Sequence, residues 1–454
     1  MAKFYNKSAF NMKLPVLFLI VWLGYVLPVK AQDTLLISFQ DAVKIGLQQN
    51  QNFQIRKNEQ HVLKMERQAA IMGHLPRVNI NNNLFRQMGQ QYQQLEGQLV
   101  VTNVTNDLLT TGLNANLPIF NSGRRLFTTR ATRQFEEAGS LNLHRASQDV
   151  VFEIAQQYLQ ILLDQELYRI AVQNLENQKE QLRQIEGFVE AGLRTLSDQY
   201  NQQSEVARLT TVVLDAEIQL ETDMWQFAET LQLESNTIPE LLPLDLETVP
   251  SEFLDLGLDE LYELATNNRQ DFRAQKLLVG GQKDMISAAR SFYYPQINGF
   301  FNYNTFFTSL DERSFRDQYM RIYPQRTFGI NITIPIFNNF ENRVAVARSK
   351  MEHNNQSLEL NAIERRLTQE TKLAFENYRV AIKREEATKV QLEAAEVAQQ
   401  VIEERFRLGV SNFVDLAQAN QQLVTAQSDH AQARYTHYFQ EVILRYTLGV
   451  LEVK

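Results

Sequence analysis

Two periods of hydrophobicity alternate along this chain. Leu360, Ile363, Leu367, Thr371, Ala374, Tyr378 and Ala381 recur at spacings of three and four, the period of a helix face. In Phe328-Gly329-Ile330-Asn331-Ile332-Thr333-Ile334 apolar and polar residues alternate strictly, the period of a strand. Period two returns where Val78, Ile80 and Leu84 alternate with Asn79, Asn81 and Asn83, and where Leu113, Ala115 and Leu117 alternate with Asn114 and Asn116. It returns again where Ile297, Phe301 and Tyr303 oppose Gln296, Asn298, Asn302 and Asn304. Asparagine stands where an ordinary exposed face carries lysine or glutamate. The pattern predicts four strands in two pairs, 76–118 and 295–335, joined by polar loops over 86–109 and 307–326.

Proline separates these pairs from the rest. After residue 31 it occurs only at positions 76, 118, 239, 243, 250, 295, 324 and 335. Residues 119–238 and 336–454 are therefore free of it and rich in Ala, Leu, Glu, Gln, Lys and Arg, all good helix formers. Each stretch has one interruption, Gly187 to Asp198 and Leu408 to Asp415. This predicts two helical hairpins: long arms at 121–188 and 339–408, and return arms at 196–234 and 412–450. An arm of this length spans ~100 Å at 1.5 Å per residue. A further helix is predicted in each half, at 39–74 and 258–293.

The two halves are copies. Leu117-Pro118-Ile119-Phe120-Asn121 returns as Ile334-Pro335-Ile336-Phe337-Asn338, 217 residues on, and Gly112, Asn114, Gly192 and Asp198 return as Gly329, Asn331, Gly409 and Asp415. Upstream, Phe53 matches Phe272 and Pro76 matches Pro295 at a spacing of 219. The two-residue change falls in a predicted loop, where length varies freely. The chain divides into a first repeat at 32–237, a linker at 238–257 on the outside of the helical rod, and a second repeat at 258–454.

Composition narrows the chemistry. There is no cysteine among 454 residues, which excludes disulfides, thiolate metal sites and thiol catalysis. Lys3, Lys7 and Lys13 precede an apolar run from Leu14 to Leu27, and Val29-Lys30-Ala31 precedes Gln32. That is the layout of a cleaved signal peptide at 1–31; the alternative, a membrane anchor, needs ~20 apolar residues. Removing the segment takes away four lysines and no acids, moving the formal charge from −8 to −12. Such a surface argues against nucleic acid as a partner. No later stretch is apolar enough for a transmembrane helix, but a membrane β-barrel has strands that are only half apolar. No G-x-S-x-G, phosphate-binding glycine loop or H-E-x-x-H occurs, and His430 and His437 lie ~10 Å apart along a helix. No enzyme activity, cofactor or metal is expected.

Phe300, Phe301, Tyr303, Phe306 and Phe307 suit the aromatic girdle of a membrane barrel; the alternative is a small soluble sheet with one wet face. Four strands cannot close a barrel, and open edges are not tolerated in lipid. Hairpins must then be shared among chains, two giving eight strands and three giving twelve.

The repeated strand-exit motif and the tip Leu408-Gly409-Val410-Ser411-Asn412-Phe413-Val414-Asp415 resemble those of the TolC-type outer-membrane efflux protein family. The resemblance covers nearly all of the chain after residue 31. It implies an α+β membrane protein: a homotrimer with a 12-stranded transmembrane β-barrel in outer-membrane lipid, continued by a long α-helical barrel through the periplasm. It implies an exit duct for small molecules, served by a periplasmic adaptor protein and an inner-membrane transporter. A type I protein secretion channel is the alternative within the family, and a periplasmic coiled-coil scaffold the alternative outside it.

Candidate site residues cluster at the two helical turns. Gly192 and Gly409 supply backbone freedom at the reversal. Asp198 and Asp415 follow them by six residues, as helix N-terminal acids and, in a trimer, as a ring of carboxylates at the narrow end that favours cations. Arg405 and Arg407 cap a helix C-terminus or tie neighbouring helices in the closed gate. By resemblance alone, Leu193, Leu408 and Val410 are adaptor contacts. The family pattern's second aspartate, three residues on, is Gln418 here and Asn201 in the first repeat, so a doubled acid ring is not expected. Pro118 and Pro335 mark the strand-to-helix junctions.

Overall fold

The computed structural model describes residues 34–95, 97–234, 237–244 and 252–452. The proposed signal peptide lies outside the described residues, as does much of the linker's proline-containing middle. Strand β1 (Thr34–Ile37) leads into α1 (Phe39–Gln49) and α2 (Gln51–Met72). Strands β2 (Arg77–Leu95) and β3 (Gln98–Phe120) follow, then the long helix α3 (Arg124–Glu190) and its return α4 (Leu196–Thr230). Strand β4 (Ile238–Leu241) precedes α5 (Leu258–Asn268) and α6 (Gln270–Arg290). Strand β5 (Gln296–Thr308), the single turn α7 (Phe315–Asp317), β6 (Gln325–Thr333), α8 (Glu341–Arg407) and α9 (Phe413–Thr447) complete the chain.

The long arms α3 and α8 have 67 residues each and the return arms 35 each, so each long arm is ~100 Å. The α8 stripe read from the sequence is buried at Ile363, Leu367, Thr371, Ala374, Tyr378 and Ala381. Two predicted helices are broken. Residues 39–74 and 258–293 each divide at one extended residue, Asn50 (φ −60°, ψ 116°) and Arg269 (φ −61°, ψ 113°). Asn50 caps the next helix through Oδ1, which accepts from the Phe53 N–H at 3.0 Å. Arg269 is held by Asp271 at 2.8 Å and by Glu370 of α8 at 2.7 Å. A one-residue break hardly disturbs a helical period, so the pattern did not reveal it.

The four long strands form one antiparallel sheet in the order β2-β3-β5-β6. The predicted loop at 86–109 is instead a continuous ladder that runs out to Leu95 opposite Gln98. Val101, Thr102, Val104 and Thr105 are strand formers, but Gln87 and Gln90 on the partner make both of its faces polar and erase the period. The second hairpin does carry a loop, and it is ordered. Gln318 is fully buried there, donating to the Asp311 and Arg313 carbonyls and accepting from the Thr308 N–H, at 2.8–3.0 Å.

Register sorts the sheet into two faces. Val78, Ala115, Phe301 and Phe328 form one row across all four strands, flanked by Ile80–Leu113–Tyr303–Arg326. Asn79, Asn114, Asn302 and Thr327 form a row on the opposite face. The five aromatics do not all share the apolar face. Phe301, Tyr303 and Phe307 do, whereas Phe300 lies over Gly329 and Phe306 stacks on Tyr323 at 4.0 Å on the asparagine face.

Midway along the helices, β1 and β4 pair in parallel, over a core of Ile37, Val43, Ile154, Ile161, Phe227 and Leu231. The Tyr158 hydroxyl donates to the Leu242 carbonyl at 2.6 Å. A second core joins Phe253, Leu261, Phe272, Leu367, Tyr378 and Leu444. Gln148 fastens the end of the chain by donating to the Gly449 and Leu451 carbonyls at 3.2 and 3.1 Å. Among the described residues no helix is long and apolar enough to cross a membrane.

Candidate functional site

At the end of α3 the chain turns through Gly192 at φ 73°, and at the end of α8 through Gly409 at φ 75°. At each turn N–H groups past the helix end reach back. Gly192 donates to the Val189 carbonyl and Leu193 to that of Phe188; Gly409 donates to that of Phe406 and Val410 to that of Arg405, all at 2.8–3.0 Å. This is the left-handed closure that satisfies the last carbonyls of a helix. A β-carbon at either glycine would meet nothing within 4 Å, so the glycines serve conformation and not packing.

The return helices start with matched caps. Thr195 Oγ1 accepts from the Asp198 N–H at 3.2 Å, and an Asp198 oxygen accepts from the Thr195 N–H at 3.2 Å. Asn412 Oδ1 accepts from the Asp415 N–H at 2.9 Å, and Asp415 accepts from the Asn412 N–H at 3.4 Å. These are reciprocal capping boxes. Each aspartate thus has a structural task within its own chain.

Outside this frame the tips are apolar. Leu193 is 71% exposed, Leu408 66% and Val410 65%. Beneath them Ile185, Phe406 and Leu416 are buried together. Such bare aliphatic positions over a packed base can receive another apolar surface.

Among the described residues, Arg405 and Arg407 make no side-chain bridge to another helix of the same chain. Arg407 grips both oxygens of Glu404 on its own helix at 2.9 and 2.7 Å. That contact holds the Glu404 carboxyl below its usual range. Arg405 contributes its carbonyl, which accepts from Val410 and Ser411. The bridge between the tips is made by Arg194. Its Nη2 donates to the Phe406 carbonyl at 2.8 Å, and its guanidinium lies 4.1 Å from the centre of the Phe406 ring. The sequence did offer a signal: the repeat offset sets Arg194 against Ser411, a charged residue in one copy of an otherwise matched turn. Above the tips, amides join the helices: Gln202 of α4 donates to the Gln178 carbonyl and side chain on α3 at 2.9 Å, Gln399 of α8 donates to Asn420 of α9 at 3.0 Å, and Asn420 links the two hairpins by donating to Gln181 of α3 at 3.3 Å.

At the other end, Pro118 lies on β3 next to a register shift before Phe120, and Pro335 lies two residues past Thr333, the last residue of β6. Two consecutive left-handed residues then turn each strand into its long helix, Ser122 and Gly123 in one repeat, Asn339 and Phe340 in the other, at φ 51–80°. Among the described residues, no group of three or more His, Asp or Glu is placed to hold a metal ion.

The chain is 22% identical over 277 residues to outer membrane protein TolC of Salmonella enteritidis. That alignment takes in 60% of this chain and 55% of the relative, so it spans about half of the relative's length. The fold is that of the outer membrane protein VceC from Vibrio cholerae, with a TM-score of 0.77 at 13% identity over 90% of this chain and 96% of that one. It is also that of the open state of the Neisseria gonorrhoeae MtrE outer membrane channel, with a TM-score of 0.73 at 20% identity over 90% and 88%. The family model described as outer membrane efflux protein matches residues 45–231 and 261–450, well over half of the sequence, and this chain belongs to that family.

Proposed function

We propose that three copies of this chain form an outer-membrane exit duct that passes small molecules from the periplasm to the outside as part of a tripartite efflux system. The observation that carries the proposal is the four-stranded sheet with two open edges, β2 and β6. β2 runs away from the helices and β6 runs toward them, so the β6 edge of one chain fits the β2 edge of the next in antiparallel pairing. Three sheets closed this way give twelve strands without an edge, the condition for spanning lipid. The rows of Val78 and Ile80 then face lipid, and the asparagine rows face a wet lumen. Exposed apolar residues on α8 at seven-residue spacing, Val344, Met351 and Leu358, then Leu373 and Val380, are suited to lateral packing against a neighbouring helix.

On this reading the duct performs no chemistry on its cargo and has no cofactor. An inner-membrane transporter supplies energy, and a periplasmic adaptor protein docks on Leu193, Leu408, Val410 and the exposed turns at Gly192 and Gly409. Asp198 and Asp415 form the cation-favouring ring at the periplasmic gate, Arg405 and Arg407 complete its charged rim, and adaptor binding shifts the tip helices toward a dilated state. A leader is removed before Gln32. The protein secretion channel shares this architecture, and the identity of the pump separates the two. The test is mass measurement in detergent together with single-channel recording. Three chains per particle and a steady conductance are expected. A stable monomer that inserts, or a trimer without conductance, overturns the proposal.

A further inference from the structure

One arginine on the apolar face of the sheet has no counter-ion among the described residues. Arg326 of β6 pairs with Tyr303 and shares its row with Ile80 and Leu113. The side chain is exposed. The four strands contain one carboxylate, Asp107, and Arg86 takes both its oxygens at 2.5 and 2.7 Å. Closure of the barrel does not change this, because β2, the strand that would arrive beside β6, has no acid between Arg77 and Leu95. In the loop above, Asp311 is engaged by Arg313 at 2.6 Å and by the Tyr323 hydroxyl at 2.6 Å, and Asp317 by Ser314 at 2.7 Å and Arg321 at 3.3 Å; the loop's third acid, Glu312, is exposed and makes no ion pair with Arg326 among the described residues. A guanidinium on a face otherwise made for lipid needs an anion from outside the chain.

The loop builds a ledge over the same face. Thr111 and Thr305 are paired one row beyond Tyr303. The Thr305 hydroxyl donates to the Tyr319 carbonyl, and the Tyr319 hydroxyl donates to Thr111 Oγ1, both at 2.6 Å. Tyr319 stacks on Phe315 at 5.0 Å, and Phe315 leans on Phe307 at 5.3 Å. Met320 and Ile322 stay exposed beside them, with Arg321 72% exposed between the two. One row of strand is ~7 Å, so Arg326 lies just below a rim of aromatics and a second arginine. Aromatic rings and snorkelling arginines together mark the level where acyl chains give way to headgroups. A planar guanidinium matches phosphate with two parallel hydrogen bonds, which an ammonium cannot do.

We propose that Arg326, with Arg321 and the ledge of Phe307, Phe315 and Tyr319, binds the phosphate-bearing headgroup of an anionic outer-leaflet lipid on the outside of the barrel rim. The inference rests on reading the sheet as part of a membrane barrel. The lipid's phosphate takes the place of the missing carboxylate, and its acyl chains lie along Phe328, Ile330 and Ile332.

The experiment uses the full chain in detergent, offered lipid A (a bisphosphorylated glycolipid) or phosphatidylcholine, with bound lipid counted by native mass spectrometry. The wild type should retain lipid A preferentially. Arg326→Gln with Arg321→Gln should weaken retention by about fivefold per arginine, since each basic residue at an anionic surface has an effect of that order. Arg326→Lys should keep part of it. Enzymatic removal of the phosphates from lipid A should abolish the preference in the wild type, a readout that needs no variant to fold. Equal retention of the two lipids by the wild type overturns the proposal, as does undiminished preference in the double glutamine variant. Displacement by equimolar inorganic phosphate would mark a free-anion site and also overturns it. Conductance is recorded on the same samples: a wild type that never forms a channel fails the barrel reading, whereas a conducting wild type without lipid preference fails this inference alone.

Discussion

Replacing Asp164 by asparagine should stabilise the first helical hairpin at neutral pH and abolish a pH dependence of the wild type. Asp164 lies on α3 at 5% exposure. Its Oδ1 accepts from Gln160 at 3.0 Å, and its Oδ2 has no hydrogen-bond partner among the described residues. Burial, and then the closeness of Asp223 on α4, push the carboxyl up from 3.8 to about 7. A shift of that size corresponds to about 4 kcal/mol if carried by one group, and to about 2–4 kcal/mol when the proton is shared with Asp223. The sign follows from which state holds the proton. Between about pH 4 and pH 7 the folded chain keeps it and the unfolded chain has lost it, so stability falls as pH rises through this window and levels off above it. Asparagine keeps the acceptor for Gln160, presents an N–H to Asp223 and carries no charge to bury. Hydrogen exchange at pH 5 and pH 8, corrected for intrinsic rates, should show the wild-type segments 155–170 and 216–230 less protected at pH 8. The variant should show equal protection at both. A variant that keeps the wild-type pH slope, or is less stable than the wild type at pH 8, would refute the reasoning.

Three further outcomes are expected. Gly409→Ala should lower stability by about 1–2 kcal/mol through backbone conformation alone. Gly449→Ala should lower it more, because at φ 74° its β-carbon would also meet the Arg269 nitrogen at 2.9 Å; equal thermal midpoints would contradict this. Arg194→Ala should loosen the tips and raise the open fraction in single-channel records, with Arg194→Lys intermediate, and unchanged gating in both would show that the clasp on Phe406 is incidental. Asp198→Asn with Asp415→Asn should weaken cation preference while lowering stability by less than ~1 kcal/mol per site, since asparagine is itself at home near a helix start; unaltered selectivity in an inserted channel would leave the acids as caps only.

How much of this was legible in the sequence depended on whether a feature repeats locally. The stripe from Ile363 to Ala381 announces its helix because every turn restates it. The four strands announce themselves where asparagine alternates with Val, Ile or Leu. The outer half of the first hairpin is not legible, because Gln87 and Gln90 sit on opposite faces and leave no period. The breaks at Asn50 and Arg269 leave no mark in the pattern, because one extended residue shifts the phase of a helix only slightly. At the tips, the glycines and their acids could be found from the offset of 217, but Arg194 could not be assigned a partner. Its contact is with a backbone carbonyl and a ring 212 residues away, and a carbonyl has no identity in a sequence.

The open edges of β2 and β6 have a genetic consequence. In the proposed trimer, a wall shared by three chains has no private part, so a variant that spoils one edge would spoil every ring it joins. With normal and altered copies made in equal amounts, only about one ring in eight would be free of the altered chain, given random closed association. Lesions on these edges that still permit one-sided pairing should therefore be dominant. Deletions that remove the sheet altogether should be recessive, because such chains never enter a ring.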